Sequence, residues 1–245
     1  VCTYGDTQHV IPTTESSPQN PTCDYGRHKV ACEQTFLQAH RDGKYGKNSG
    51  MTILRPSHTF GPGGGIINSL GFQTSFVDRL RRGIPVIVAG DGNGLWATAY
   101  ADDVGVGFAK ILGRAKSFGE HFNIVGDEVV TWDQYIQRSA AALGGPTPKI
   151  VHIPTDVLLS IAPKRYEWLG WVFRYHGIYS NEKLRTIVPE YRSATPYAEG
   201  VKRTVAVMER LGKIIPAEKD PFEDQLISQW HNSMETLRSL AKPPA

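Results

Sequence analysis

Tyr25 and Lys29 stand four residues apart in the run Tyr25-Gly26-Arg27-His28-Lys29. At the head of a helix that spacing sends both side chains out of one face, one turn above the other. The face is suited to proton chemistry. A phenol titrates near ~10, too high for a base at neutral pH, and a fixed ammonium about one turn away stabilises the phenolate and lowers that value. The helix is predicted to run to about His40, with Thr22 or Asp24 as its cap and Val30, Thr35, Phe36, Leu37 and His40 spaced for burial. Glu33 adds a second i, i+4 partner for Lys29.

Composition limits what can surround this helix. With 245 residues, 40% of them hydrophobic, the chain can bury a full core as one domain or a split one. Cys2, Cys23 and Cys32 have neither paired nor metal-ligand spacing, so no disulfide frame and no metal site are expected, and a reducing compartment suits them. Charges break every apolar run well short of a membrane span, and no signal peptide opens the chain. A cytoplasmic protein without membrane contact is the expectation. A formal charge of +3, with scattered lysines and arginines, gives no reason to expect nucleic acid as a partner.

The neighbourhood of the pair is more specific than the pair itself. Tyr4-Gly5-Asp6, Pro12-Thr13-Thr14-Glu15 and Pro18-Gln19-Asn20-Pro21 precede it. Leu54-Arg55-Pro56-Ser57-His58-Thr59-Phe60-Gly61-Pro62 follows, then Ala89-Gly90-Asp91-Gly92 and Tyr100-Ala101-Asp102-Asp103-Val104. In this order the segments resemble the extended short-chain dehydrogenase/reductase family, the NAD-dependent sugar epimerases and dehydratases, over residues 1 to about 212. The resemblance implies an α/β fold: the C-terminal part of a doubly wound Rossmann-type parallel sheet, its first βαβ units absent, plus a small, mostly helical substrate domain. Residues 1–150 would hold the remaining Rossmann half, interleaved with substrate-domain segments. Residues 151–215 would form the helical domain, and 216–245 an added C-terminal helix.

A dinucleotide fold needs a glycine-rich turn between strand and helix so that the backbone can approach the pyrophosphate. Neither Gly61-Pro62-Gly63-Gly64-Gly65 nor Gly90-Asp91-Gly92-Asn93-Gly94 has the spacing or context. In the family that turn lies far upstream of the tyrosine, so the chain reads as the C-terminal two-thirds of such an enzyme. The family's catalytic serine or threonine would fall just before Val1. Thr3 aligns with an aliphatic position, and if residues 1 to 5 end a strand, alternation turns it to the other face.

What the resemblance implies for the site is definite. Tyr25 and Lys29 are catalytic and also touch the cofactor, NAD or NADP. Pro56, Ser57 and His58, where a strand leaves the sheet, reach the nicotinamide side, and His58 and Trp96 reach substrate. The reaction is hydride transfer with the tyrosine as acid or base, in an epimerase or oxidoreductase acting on a sugar nucleotide or related hydroxyl or ketone compound. Family dehydratases carry an acidic pair where Val1 and Cys2 stand, which disfavours water elimination. Trp96 occupies the place of an arginine that grips a diphosphate in many members. Either Arg174, Arg185 or Arg192 replaces it, or the substrate is not a nucleotide diphosphate sugar. The family's tyrosine-bearing helix packs on its copy, so a homodimer is expected. A non-catalytic RNA-binding protein and a truncated, inactive member are the alternatives.

The remaining elements follow from local pattern. Strands are predicted at Met51–Leu54, ended by Arg55-Pro56, and at Ile84–Val88, His121–Val125 and Ile150–Ile153. Helices are predicted at Gln73–Arg82, from a cap at Asp102 or Asp103 to Leu112, from a capping box at Thr131 to Leu143, at Pro196–Leu211, and beyond Pro216. The aromatics Tyr166, Trp168, Trp171, Phe173, Tyr175 and Tyr179 can line a pocket or fill a core. Arg79, Arg81 and Arg82 complement a helix dipole or bind anions.

Overall fold

A computed structural model describes residues 1–5, 11–46 and 49–240. Asp6 and positions 7–10 of the predicted loop lie outside the described residues. In chain order the elements are α1 (Asp24–Arg41), β1 (Ile53–Pro56), β2 (His58–Phe60), α2 (Ser75–Arg82), β3 (Val86–Ala89), β4 (Leu95–Tyr100), α3 (Ala101–Ile111) and β5 (His121–Ile124). There follow β6 (Val129–Thr131), α4 (Trp132–Ala142), β7 (Ile150–Ile153), α5 (Thr155–Ile161), α6 (Glu182–Ile187), α7 (Tyr197–Arg210) and α8 (Phe222–Leu240).

Three parallel pairings, β1 with β5, β2 with β4 and β3 with β7, carry the α/β architecture, and β6 joins β4 antiparallel. Parallel neighbours cannot be joined by a hairpin, so helix-bearing chain crosses between them, with α4 lying between β3 and β7 in sequence. Strands covered on both faces are apolar throughout, as Val86, Ile87 and Val88 are. One buried cluster joins Val88, Trp132, Ile153, Leu169 and Val201, and a second joins Ala99, Val104, Phe122, Ile124, Leu184 and Tyr191.

Several local predictions are corrected. Residues 2–4 form a turn, closed by the Tyr4 amide on the Val1 carbonyl at 3.0 Å, so strand alternation does not orient Thr3. β1 starts at Ile53, later than predicted, and takes in Arg55 before it ends at Pro56, opposite Ile124. The cap of α1 is Cys23 without a side-chain bond; Thr22 instead donates to the Trp171 carbonyl at 2.6 Å. The face α1 buries carries Gly26 and Glu33, while Phe36 is 52% exposed. Gly26 permits this: a Cβ there would lie 2.5 Å from the Cys2 carbonyl oxygen, so the helix seats directly on residue 2. Asp103 lies in the first turn of α3 and accepts from the Thr195 amide at 2.9 Å, bracing α7's approach, whereas Thr131 makes the predicted capping box.

The three arginines of α2 bind anions of their own chain. Arg79, fully buried, donates to Asp224 at 2.7 and 2.8 Å and lies 3.3 Å from Glu223, which ties α8 to α2. Arg82 meets Asp78 and Glu218, and Arg81 meets Glu209. Leu226 and Ile227 bury the first turns of α8, and Leu237 is 56% exposed.

Candidate active site

Tyr25 and Lys29 project from the first turns of α1 into a cavity of about 290 Å³. The same cavity is lined by Pro56, Ser57 and His58 at the exit of β1, by Trp96 on β4, and by Cys2 and Thr3. All six residues singled out from the sequence thus meet in one place. Phe72, Trp168, Val172, Phe173 and Tyr179 also line it. Trp168 and Phe173 flank and end a π-helical turn at Leu169–Phe173. The aromatic stretch therefore serves both purposes considered: Tyr166 and Phe173 are core residues, and Trp168 and Tyr179 face the cavity.

The Lys29 ammonium lies 5.2 Å from the centre of the Tyr25 ring, and Tyr25, 51% exposed, meets Trp168 edge-on at 6.3 Å. Glu33, expected as a partner for Lys29, turns the other way. It accepts a two-pronged contact from Arg55 of β1, Nε to Oε1 at 2.9 Å and Nη2 to Oε2 at 2.5 Å, and a further bond from Gln19 at 2.8 Å. Arg55 also donates to the Tyr4 hydroxyl at 2.7 Å, which donates to Asn123 of β5 at 2.8 Å. Glu15 of the Pro12–Glu15 segment takes the Asn123 amide at 2.7 Å. This buried network bolts α1 to β1 and β5, so it fixes where Tyr25 and Lys29 sit, and no carboxylate among the described residues pairs with the ammonium. The sequence reading missed Arg55 and Tyr4, because the pairing spans 22 residues and the helical spacing offered Lys29 as the nearer partner.

Burial sets the protonation of the other polar groups. It pushes the His58 imidazole down to about 4, so the ring is neutral at pH 7 and can donate or accept. It raises the Cys2 thiol, which stays protonated, and it raises Tyr179, with Cys2 and Tyr4 adding to the effect. Four buried polar atoms around the cavity have no protein partner: Thr3 Oγ1, Ser57 Oγ, His58 Nε2 and Trp96 Nε1. Trp96 is held by its rings. It stacks on Trp132 at 4.9 Å and meets Phe173 edge-on at 5.3 Å. A Cβ on Gly177 would lie 2.5 Å from its Cε3, so the backbone at Gly177 closes directly on the indole. Arg174 pairs with Asp156 and Arg185 with Asp127, while Arg192 donates to the Pro189 carbonyl. Among the described residues no group of three or more metal-ligating side chains gathers, and no helix is long and apolar enough to cross a membrane.

A family model described as the NAD dependent epimerase/dehydratase family matches residues 1–125. Among curated proteins, the chloroplast stem-loop binding protein of 41 kDa b of Arabidopsis thaliana is 31% identical over 144 residues, 58% of this chain and 34% of that protein. The 2'-dehydrokanamycin reductase of Streptomyces kanamyceticus is 27% identical over 184 residues, 74% of this chain and 50% of that protein. The chain thus spans half or less of the curated relatives it matches. Among solved structures, UDP-glucuronic acid 4-epimerase of Bacillus cereus, in complex with NAD, superposes with a TM-score of 0.65 at 17% identity, covering 86% of this chain and 59% of that one.

Proposed function

Because the chain belongs to the NAD-dependent epimerase/dehydratase family, we propose that it forms the substrate-facing part of an NAD- or NADP-dependent epimerase or oxidoreductase. Its substrate is a sugar nucleotide or a related hydroxyl or ketone compound. The observation that carries this reading is the convergence of Tyr25, Lys29, Pro56, Ser57 and His58 on one cavity. The residues fit the nicotinamide end of a dinucleotide: no carboxylate among the described residues pairs with Lys29, and the buried Ser57 Oγ and His58 Nε2 at the strand exit have no protein partner. No glycine-rich strand-to-helix turn of pyrophosphate-binding spacing occurs among the described residues, so they account for that end only.

A bound nicotinamide supplies or accepts hydride at the substrate carbon. Tyr25 gives a proton to the ketone oxygen, or takes one from the hydroxyl, as that carbon changes oxidation state. Lys29 stabilises the phenolate and offers its remaining donors to the ribose hydroxyls. The network of Glu33, Arg55 and Tyr4 keeps both at fixed distance from the β1 exit. Exposed Phe36 on α1 is compatible with packing against a second copy, and a homodimer is proposed.

In the full-length protein, Tyr25→Phe is expected to lower kcat about 10²-fold or more with cofactor affinity changed less than about twofold. An equally active variant removes Tyr25 from the role. A second reading, nucleic-acid binding without turnover, draws on the stem-loop binding relative. It predicts a stem-loop RNA shift in a gel that survives Tyr25→Phe, together with no turnover in either protein; an inactive fragment predicts neither.

A further inference from the structure

We propose that β3 carries a strand-accepting edge, covered by α8 in the folded chain, and that the partner it takes when α8 lifts is the β3 edge of a second copy, laid antiparallel.

The direction of the backbone groups shows where that edge lies. The Val86 and Gly90 amides donate to the Lys149 and Ile153 carbonyls, each at 2.9 Å, so residues 86, 88 and 90 face β7 while Pro85, Ile87 and Ala89 face the other way. Among the described residues no strand pairs on that side. Side chains stand in for one. The Ile87 amide donates to Glu223 Oε1 at 2.8 Å, the Ala89 amide to Ser69 Oγ at 3.1 Å, and the Pro85 carbonyl accepts from Arg79 at 3.1 Å. Glu223, Ser69 and Arg79 are all buried. Neighbouring strands lie about 4.8 Å apart, so a strand on this edge would need the space that the first turn of α8 fills.

The strand itself offers no other protection. An open edge is a template for a further strand, and chains blunt it with charge, proline or a covering helix. No charged residue occurs from Ile84 to Gly90, and Pro85 precedes the amides at issue. An uncharged, β-branched run suits pairing with its own copy. With Val88 on the two-fold axis, Ile87 stands opposite Ala89 of the second copy and Ala89 opposite its Ile87. Each pair exchanges both of its backbone bonds. In that register Asp91 falls opposite Pro85 and not opposite its own copy, so no like charges meet. The cover is held at one end: the buried residues of α8 are Glu223, Leu226 and Ile227, and Arg79 grips the same turn through Asp224.

Light scattering and residue-resolved amide exchange on the full-length protein, over a concentration series, test this in the parent, Arg79→Met, and Arg79→Met with Ala89→Pro. The parent should keep one mass. Arg79→Met frees α8 and should approach twice the parent mass as concentration rises. Over the same range exchange at Ile87 and Ala89 should slow about tenfold or more, because the second copy's strand takes both amides, while α8 stays fast. Ala89→Pro removes an amide that faces the edge and leaves the β7 ladder whole, so it should return the mass to the parent value without protecting α8. Asp224→Ala, at a half-exposed position, is the milder opener should Arg79→Met fail to fold. Doubling without protection of Ile87 and Ala89, or doubling that survives Ala89→Pro, overturns the proposal. So does a constant mass in whichever opener folds, whether its α8 exchanges fast or as slowly as in the parent.

Discussion

Replacing Glu33 by leucine removes the carboxylate from a guanidinium that has nowhere else to go. Arg55 is 5% exposed and the Glu33 side chain 11%, so neither reaches bulk water. Glu33→Leu leaves Arg55 with the Tyr4 hydroxyl alone and strips Gln19 of its acceptor. Breaking a buried pair from one side costs about 3–5 kcal/mol, and the Gln19 bond adds about 1 kcal/mol, so the single variant should lose about 4–6 kcal/mol. Removing both charges, as Glu33→Leu with Arg55→Met, should recover most of that loss, because an apolar pair of similar volume is often neutral or better. Urea unfolding of the parent, both single variants and the double variant gives the coupling energy directly, provided m is unchanged. A single-variant loss under about 1 kcal/mol, or simple additivity across the cycle, would refute the claim that this pair bolts α1 to the sheet.

The His58 ring is held neutral in the fold, with its value depressed to about 4 from the ordinary 6.5, so the unfolded chain takes up a proton first on acidification. Its contribution is fully present above pH 6.5 and is lost as pH falls towards 4, about 2–3 kcal/mol, and His58→Asn should flatten that slope in urea midpoints between pH 7 and 4; parallel profiles would count against it. Arg79→Met leaves buried Glu223 and its neighbour Asp224 unpaired, and should cost about 3–5 kcal/mol and raise amide exchange in α8 first; unchanged exchange there would show that α8 docks by its apolar face alone. The 245-residue chain on its own should bind NAD weakly or not at all, since no described turn cradles a pyrophosphate; micromolar binding by calorimetry would contradict this.

The site was legible where its geometry is local. Tyr25 and Lys29 share a face because a helix repeats that way, and Pro56, Ser57 and His58 are contiguous, so one strand exit delivers all three. Thr131 and Gln134 satisfy each other within one turn, and that box could be read directly. What was not legible depends on distant partners. Glu33 chose Arg55 over Lys29 because a planar fork in a dry interface outcompetes an exposed ammonium one turn away. The stripe proposed for α1 holds in part: Val30, Leu37 and His40 are half-buried and Thr35 and Phe36 exposed, while the fully buried positions are Gly26, through close approach, and the paired carboxylate of Glu33. β2, β4 and β6 went unread: β2 and β6 are three residues each, and in β4 adjacent Trp96 and Ala97 are both buried, which erases the period of two. Residues 2–4 turn where the end of a strand was expected, because the Tyr4 amide closes back on the Val1 carbonyl and only Gly5 bridges a neighbour, at Asn20.

The most direct test follows a hydrogen atom. Full-length protein is incubated with a cyclic ketone and reduced dinucleotide deuterated at the transferring carbon, and the alcohol product is weighed by mass spectrometry for wild type and Tyr25→Phe side by side. The account predicts label in the wild-type product and about 10²-fold less with Tyr25→Phe. Label arriving equally fast with both proteins, or with neither, would contradict it.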